Sequence, residues 1–382
     1  AKVFKITPSG VATSTGTHTI VLAGREGLEG GSYSITINEG DVADDITAKI
    51  ETAINGVLYA PVTVSENGYD AVLTTKWKGK TAQAVNATVN TNGNSLGITY
   101  TVTEVTAGTG TPSITTALNQ FGNDWNTIVL NSYGLETSII SALQQFNGIP
   151  DAVNPTGRFR GIIMKPFIAI SGSTLEDPSS ITDALLNEVT IAVAPAPNSE
   201  GLPMEAAANM VALFARVSQD TPHLDVSGLS YPDMPVPTDI GLMNEYEERD
   251  AFVKKGCSTV ELIGGKYQVV DFVTTYHKLG EAVPQFRYCR NLMLDLNVRF
   301  GYYLLEQTNV VGHVLANDAD VVSASNVIKP KQWKQVLFQY FLDLVNRGLV
   351  VDAKFSQDSI LVGISTINPD RIETFMRYKR SG

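Results

Sequence analysis

The chain has 382 residues, 43% of them apolar and only 18% charged, with 28 basic against 39 acidic side chains and a formal net charge of −11. At roughly 100–200 residues per domain, this length carries two or three domains and a sizeable core. The acidic balance disfavours nucleic acid and anionic lipid heads as partners, no apolar run reaches the roughly 20 residues of a membrane span, and the low charge share suggests surface covered by other proteins.

Residues 1–107 contain eighteen threonines and short alternating apolar runs punctuated by Gly and Asn, the pattern of an antiparallel β-rich domain. Tyr33, Ile35 and Ile37 alternate with Ser34, Thr36 and Asn38, so one face of that strand is expected inside. Asp41 or Asp44 then caps a helix whose Ile46, Ile50, Ala53, Ile54 and Val57 form one apolar stripe for the sheet. Val62–Val64 leads to Asn67-Gly68, a strong hairpin signal, and returns from Ala71 to Trp77. Ile98–Val105 reads as the closing strand.

The segment from Thr106 to Pro112 holds two glycines and no core-forming residue, which places a boundary there. Beyond it strand and helix alternate. A helix from Ile114 to Phe121 ends at Gly122, Thr127–Leu130 is an apolar strand, and Leu135, Ile139, Leu143 and Phe146 line the next helix. A strand from Arg160 to Met164, a helix from Ser180 to Asn187, a strand from Val189 to Val193 and a helix from Met204 to Val217 continue the series. Such alternation predicts a largely parallel sheet covered by helices.

Residues 221–240, rich in proline and aspartate, read as an irregular surface crossing, followed by a helix near Asn244. Strands at Thr259–Ile263 and Tyr267–Thr274 precede the longest helix, where Phe286, Cys289, Met293, Leu296, Phe300 and Tyr303 predict a single gripped side. A helix from Pro330 to Arg347 stops at Gly348, and three strands finish the chain: Val350–Phe355, Ile360–Ile364 and Arg371–Tyr378. The expected fold class is thus α+β and α/β in one multidomain chain, with an antiparallel β-rich domain with one helix over 1–107, a first part of an α/β core over 108–240, and a second part with long helices, mixed sheet and terminal strands over 241–382.

Catalytic and binding motifs are missing where such a fold would carry them. The turns after Leu130 (Asn131-Ser132-Tyr133-Gly134) and Val193 (Ala194-Pro195-Ala196-Pro197) match neither phosphate-binding pattern. His18, His223, His277 and His313 lack metal spacing, and Cys257 and Cys289 read as buried fillers. Asn317, Asp318 and Asp320 resemble part of a calcium loop without its central glycine and closing glutamate. No serine lies in a nucleophile elbow, and Glu245, Glu247, Glu248 and Asp250 read as a solvated helix face. No cofactor, no metal and no enzymatic activity are expected. Lys329, Lys331 and Lys334 crowd the first turn of a helix, where the macrodipole disfavours cations by a few tenths of a kcal/mol each. Either an acidic protein partner or an ordinary basic face accounts for them.

A set of segments spread along the whole chain resembles the Mu-like group of phage contractile tail sheath proteins. It comprises the strand-helix-hairpin unit from Gly31 to Val105, the linker from Ala107 to Pro112, and Asp124-Trp125-Asn126-Thr127-Ile128-Val129. It also includes Ala194-Pro195 before the run Pro203 to Ala208, Met243–Lys255 leading into Gly256-Cys257-Ser258-Thr259-Val260, Val269–Tyr276, and Ile367–Ile372.

The resemblance implies a structural subunit that assembles helically with its copies around a tail tube, between baseplate and tail terminator proteins, and contracts as nearly rigid bodies to drive the tube through a host envelope. It implies a virion protein assembled in host cytoplasm, without nucleic acid or membrane insertion, linked to its copies by terminal arms that add strands to neighbouring sheets. By this analogy 1–107 lies outside, Lys329, Lys331 and Lys334 face the tube, and Arg371, Ile372, Phe375, Arg377 and Tyr378 form the linking strand, an ordinary internal edge strand being the other reading of that stretch. The start at Ala1 and the finish at Gly382 look cut; without complete arms the chain is expected to be monomeric or weakly associated. A different possibility is a surface-binding, adhesin-like module of a phage or bacterial particle, which predicts an exposed aromatic cluster within 1–107.

Overall fold

A computed structural model describes residues 1–24, 31–151, 153–160, 164–278 and 286–382. The chain divides into two compact units, Ala1–Ile114 with Glu200–Leu202, and Thr115–Ser199 with Pro203–Gly382. The first holds β1 (Val3–Gly10), β2 (Gly16–Ala23), β3 (Gly31–Ile37), α1 (Ala43–Asn55), β4 (Val62–Asn67), β5 (Asp70–Thr75), β6 (Asn86–Asn90) and β7 (Ile98–Thr106).

These strands form two antiparallel sheets, ordered β4-β5-β1-β7 and β3-β2-β6, where the threonine pattern alone suggested one. Alternation explains the packing: Phe4 and Ile6 on β1, Ile20 and Leu22 on β2, and Tyr33, Ile35 and Ile37 on β3 enter one core with Ile46, Ile50 and Ile54 of α1. The α1 stripe is as expected except at its end, where Val57 lies beyond the helix and is 44% exposed. The start also differs. Val42 is the N-cap, and Asp45 reaches back to accept its N–H at 3.0 Å, which is half of a capping box.

The second unit begins with α2 (Thr115–Asn119), β8 (Ile128–Asn131), α3 (Thr137–Asn147), β9 (Ile168–Ser173), α4 (Ser179–Thr182), β10 (Ile191–Pro195) and α5 (Pro203–Asp220). β8, β9 and β10 make a parallel sheet in the order β10-β9-β8. β9 is buried at every position and so shows no alternation. The strand expected from Arg160 to Met164 falls on 161–163, outside the described residues. At Gly172 the sheet meets the start of α5 so closely that a Cβ there would stand 1.5 Å from the Pro203 carbonyl oxygen.

After the irregular crossing come α6 (Tyr246–Lys254), the antiparallel hairpin of β11 (Thr259–Ile263) with β12 (Lys266–Asp271), and α7 (Cys289–Asn309). Ala192 on β10 bridges antiparallel to Thr274, which makes the assembly of strands mixed. The chain then runs through β13 (Val314–Leu315), β14 (Val327–Ile328), α8 (Pro330–Asn346), β15 (Val350–Val351), α9 (Ala353–Ser359), β16 (Leu361–Ile364), β17 (Ile372–Phe375) and β18 (Lys379–Arg380). This is the expected fold class, an antiparallel β-rich part with one helix followed by α/β structure with mixed pairing and terminal strands.

Two readings of the sequence are corrected here. Val350–Phe355 is a strand for two residues only; Asp352 then adopts a left-handed conformation (φ 60°) and accepts the Phe355 N–H at 3.0 Å, which starts α9. α7 is gripped on two sides instead of one. Cys289, Leu292, Met293 and Leu296 enter the core of the parallel sheet, while Leu294 and Val298 enter a second core with Trp333, Leu337, Phe341 and Leu344 of α8. Phe300, placed in the buried stripe by its spacing, is 44% exposed.

Candidate docking surfaces

Pro330 at the first position, followed by an apolar stripe, starts α8 where the sequence predicts it. Gln332 accepts the Lys329 N–H at 2.9 Å, and Asp318 from the preceding loop accepts the Lys331 N–H at 2.9 Å. Asp320 closes that loop by accepting the Asn317 N–H at 2.8 Å, and its carbonyl accepts from the Lys329 ammonium. Of the aspartates that resembled a partial calcium loop, Asp318 therefore caps the helix and supplies the negative charge that a helix start favours, while Asp320 closes the loop before it.

The three lysines share this turn but not one environment. Lys329 is half-buried, Lys331 is exposed, and Lys334 is half-buried with its ammonium 5.5 Å from the centre of the Phe338 ring. Among the described residues none of the three has a carboxylate within ion-pair distance. Valines extend this surface: Val321 in the loop before β14 is fully exposed and Val322 is 42% exposed.

At the end of the chain, alternation divides the expected linking residues into two sets. Ile372 and Tyr378 turn inward and pack on the α8 core, together with Met376, and Thr374 accepts the Trp333 indole N–H at 3.1 Å. Arg371, Phe375 and Arg377 turn outward and are exposed. Phe375 sits directly across from Leu361 on β16, and the two are 53% and 64% exposed. Arg377 lies 5.8 Å from the Phe375 ring, and Arg371 pairs with Glu373 at 3.3 Å.

β16 and β17 form a two-stranded antiparallel sheet, so among the described residues neither outer edge has a strand beside it. The segment after β17 is held by its own chain. Tyr378 donates its hydroxyl to Asp295 of α7 at 2.7 Å, and Arg380 forks onto the same carboxylate at 2.9 and 2.6 Å. Burial, followed by the Asp295 charge, pushes the Tyr378 phenol up, which keeps it a neutral donor.

Several other ionisable groups are engaged in the fold, whereas His223 and His313 each bury a ring nitrogen without a hydrogen-bond partner among the described residues. Cys257 and Cys289 are free, buried in the sheet core, and burial pushes both thiols up, which makes them inert. His18 lies against the Tyr100 hydroxyl at 2.7 Å, and His277 bridges the Thr275 carbonyl and Asp183. Glu245, Glu247, Glu248 and Asp250 are exposed, with Asp250 paired to Lys254. Among the described residues no group of three potential ligands is placed to hold a metal ion, and no helix is long and apolar enough to cross a membrane. In the first unit the exposed tyrosines do not cluster: Tyr59 precedes β4, whereas Tyr69 lies in the turn at the far end of that strand.

No protein-family model matches the chain. It is 24% identical over 375 residues to the Mu-like prophage FluMu tail sheath protein of Haemophilus influenzae, covering 95% of this chain and 73% of that relative. The resemblance carried by the sequence segments is thus to the same kind of protein, over 95% of the chain. Two solved structures overlap all of this chain loosely. One is a sheath tail protein of Desulfitobacterium hafniense, at 10% identity, TM-score 0.46 and 81% of that chain. The other is a sheath tail protein of Listeria innocua, at 12% identity, TM-score 0.44 and 78% of that chain.

Proposed function

We propose that this chain is a structural subunit of a contractile, phage-type tail sheath, and that it performs no bond-making chemistry. The observation that carries the reading is the similarity along 95% of the chain to a Mu-like tail sheath protein. Copies would form a helical lattice around a tail tube, bounded by baseplate and terminator proteins, assembled in the host cytoplasm and retained in the virion. Contraction would be a passage between two packings of the same subunits, with the free energy held in their interfaces and no nucleotide consumed.

Two surfaces fit such a role. The α8 start, with Lys329, Lys331 and Lys334, suits an acidic face of the tube. The open edges of the β16-β17 sheet, flanked by outward Arg371, Phe375 and Arg377, suit strand addition by a neighbouring subunit, because main-chain hydrogen bonds join chains without demanding a given sequence. Ile372 and Tyr378 support that sheet from within. Residues 1–107 would project outward, with 108–240 and 241–382 as the two parts of the sheath body.

The test is co-expression of the protein, at the full length its gene encodes, with the tail tube protein of its own particle, followed by electron microscopy. Striated sheaths of two lengths around tubes are expected. Bare tubes beside a folded, dispersed chain would refute the reading.

A further inference from the structure

We propose that the groove between β3 and α1 binds an extended peptide segment bearing basic side chains, which joins β3 as an added strand. The proposal stands independently of the sheath reading. Among the described strands β3 pairs only with β2, in an unbroken register from Gly31 opposite Leu22 to Ile37 opposite Gly16. Edge strands are ordinarily blunted by a charge, a proline or a bulge. β3 has none of these. Its outward side chains are Ser32, Ser34 and Thr36, all exposed and uncharged.

Facing β3 across the groove is one stripe of α1, formed by Asp45, Ala48, Lys49, Thr52 and Ala53, with Asn38 and Asp41 from the connection between strand and helix. The space is about 650 Å³ and open to solvent. From Ser34 to Asn38 the strand wall runs about 14 Å at 3.4 Å per residue, and from Asp45 to Thr52 the helix wall runs about 10 Å at 1.5 Å per residue. A trough of that length, shallow and lined by an unpaired backbone, suits three or four extended residues better than a compact small molecule. Strand addition beside a helix is an established mode of peptide capture.

Charge selects the guest. The walls carry Asp41 and Asp45 against Lys49, and Lys49 is already paired with Asp41. Glu39 and Asp44 stand exposed just outside. An incoming lysine or arginine meets net negative charge, whereas a second copy would bring the same acids together in a chain whose formal charge is −11.

The experiment uses the whole chain and an acetylated, amidated octapeptide of alternating lysine and valine, with the glutamate–valine peptide as control. Fluorescence anisotropy should show the lysine peptide binding at least tenfold more tightly, and hydrogen exchange at saturation should slow at residues 32–37. Ala48→Trp, built from an exposed helix position, should fill the groove and weaken binding at least tenfold with the melting temperature unchanged; Thr52→Trp serves if the first variant is unstable. No binding, binding without slower exchange in β3, or equal binding by the tryptophan variants would overturn the proposal. So would a dimer in sedimentation that the tryptophan variants abolish, since the occupant would then be a second copy.

Discussion

Asp295 on α7 receives three donors from the end of the chain, the Tyr378 hydroxyl and two guanidinium nitrogens of Arg380. Asp295→Asn keeps the shape and removes the charge. Breaking a fully buried ion pair costs about 3–5 kcal/mol, but the two side chains here retain 17% and 14% exposure, so water recovers part of that and about 2–3 kcal/mol remains. The segment is short, and it can detach without the rest of the unit unfolding. The loss should therefore appear mainly as local opening of β18 from β15, where Ser381 also donates to the Leu349 carbonyl. At 1.4 kcal/mol per factor of ten, amide exchange at 379–381 should accelerate about 30- to 140-fold, with a much smaller change in the melting temperature. Exchange within threefold of the parent would refute the view that this carboxylate ties down the chain end.

Gly172→Ala should cost about 3 kcal/mol or more, because the new Cβ meets the Pro203 backbone, which can retreat only if α5 shifts; an unchanged denaturation midpoint would count against this. Burial pushes the Glu188 carboxyl up, so its ionised form costs stability at neutral pH, and that cost vanishes below the unfolded value of about 4.3. Glu188→Gln keeps an acceptor for the Thr190 N–H, and it should equal or exceed the parent in stability at pH 7 while the difference moves in the parent's favour as pH falls towards 4; a difference independent of pH would contradict the assignment. Replacing Lys329, Lys331 and Lys334 together with glutamate should leave the fold intact by circular dichroism and abolish docking on the tube in micrographs, and undisturbed docking would remove these residues from the tube contact.

Elements with a clear period and a local stop signal were legible in the residues. The α1 stripe of Ile46, Ile50 and Ile54, the Asn67-Gly68 hairpin, and α8 between Pro330 and Gly348 all follow from side-chain spacing and turn chemistry. What escaped depended on three-dimensional context. β9 is enclosed on both faces, so Ile168 to Ser173 shows no alternation. The short helix after Val351 depends on the left-handed backbone of Asp352, which residue type only permits. Spacing drew one stripe on α7 because it cannot reveal that a helix has two neighbours. For the docking surfaces, chemistry was legible before orientation: the sequence marks arginines, an aromatic and a tyrosine near the end, but only packing on the α8 core shows that Ile372 and Tyr378 face inward and Arg371, Phe375 and Arg377 outward. The groove beside β3 had no sequence signal, since it arises where an edge and a helix happen to leave room.

The two-sided burial of α7 has a mechanical consequence. A single rod is shared by the layer around the parallel sheet and the layer around Trp333, so sliding one past the other would strip packed side chains from both at once. Stress that would part these two layers therefore has to disrupt packing on both sides of α7.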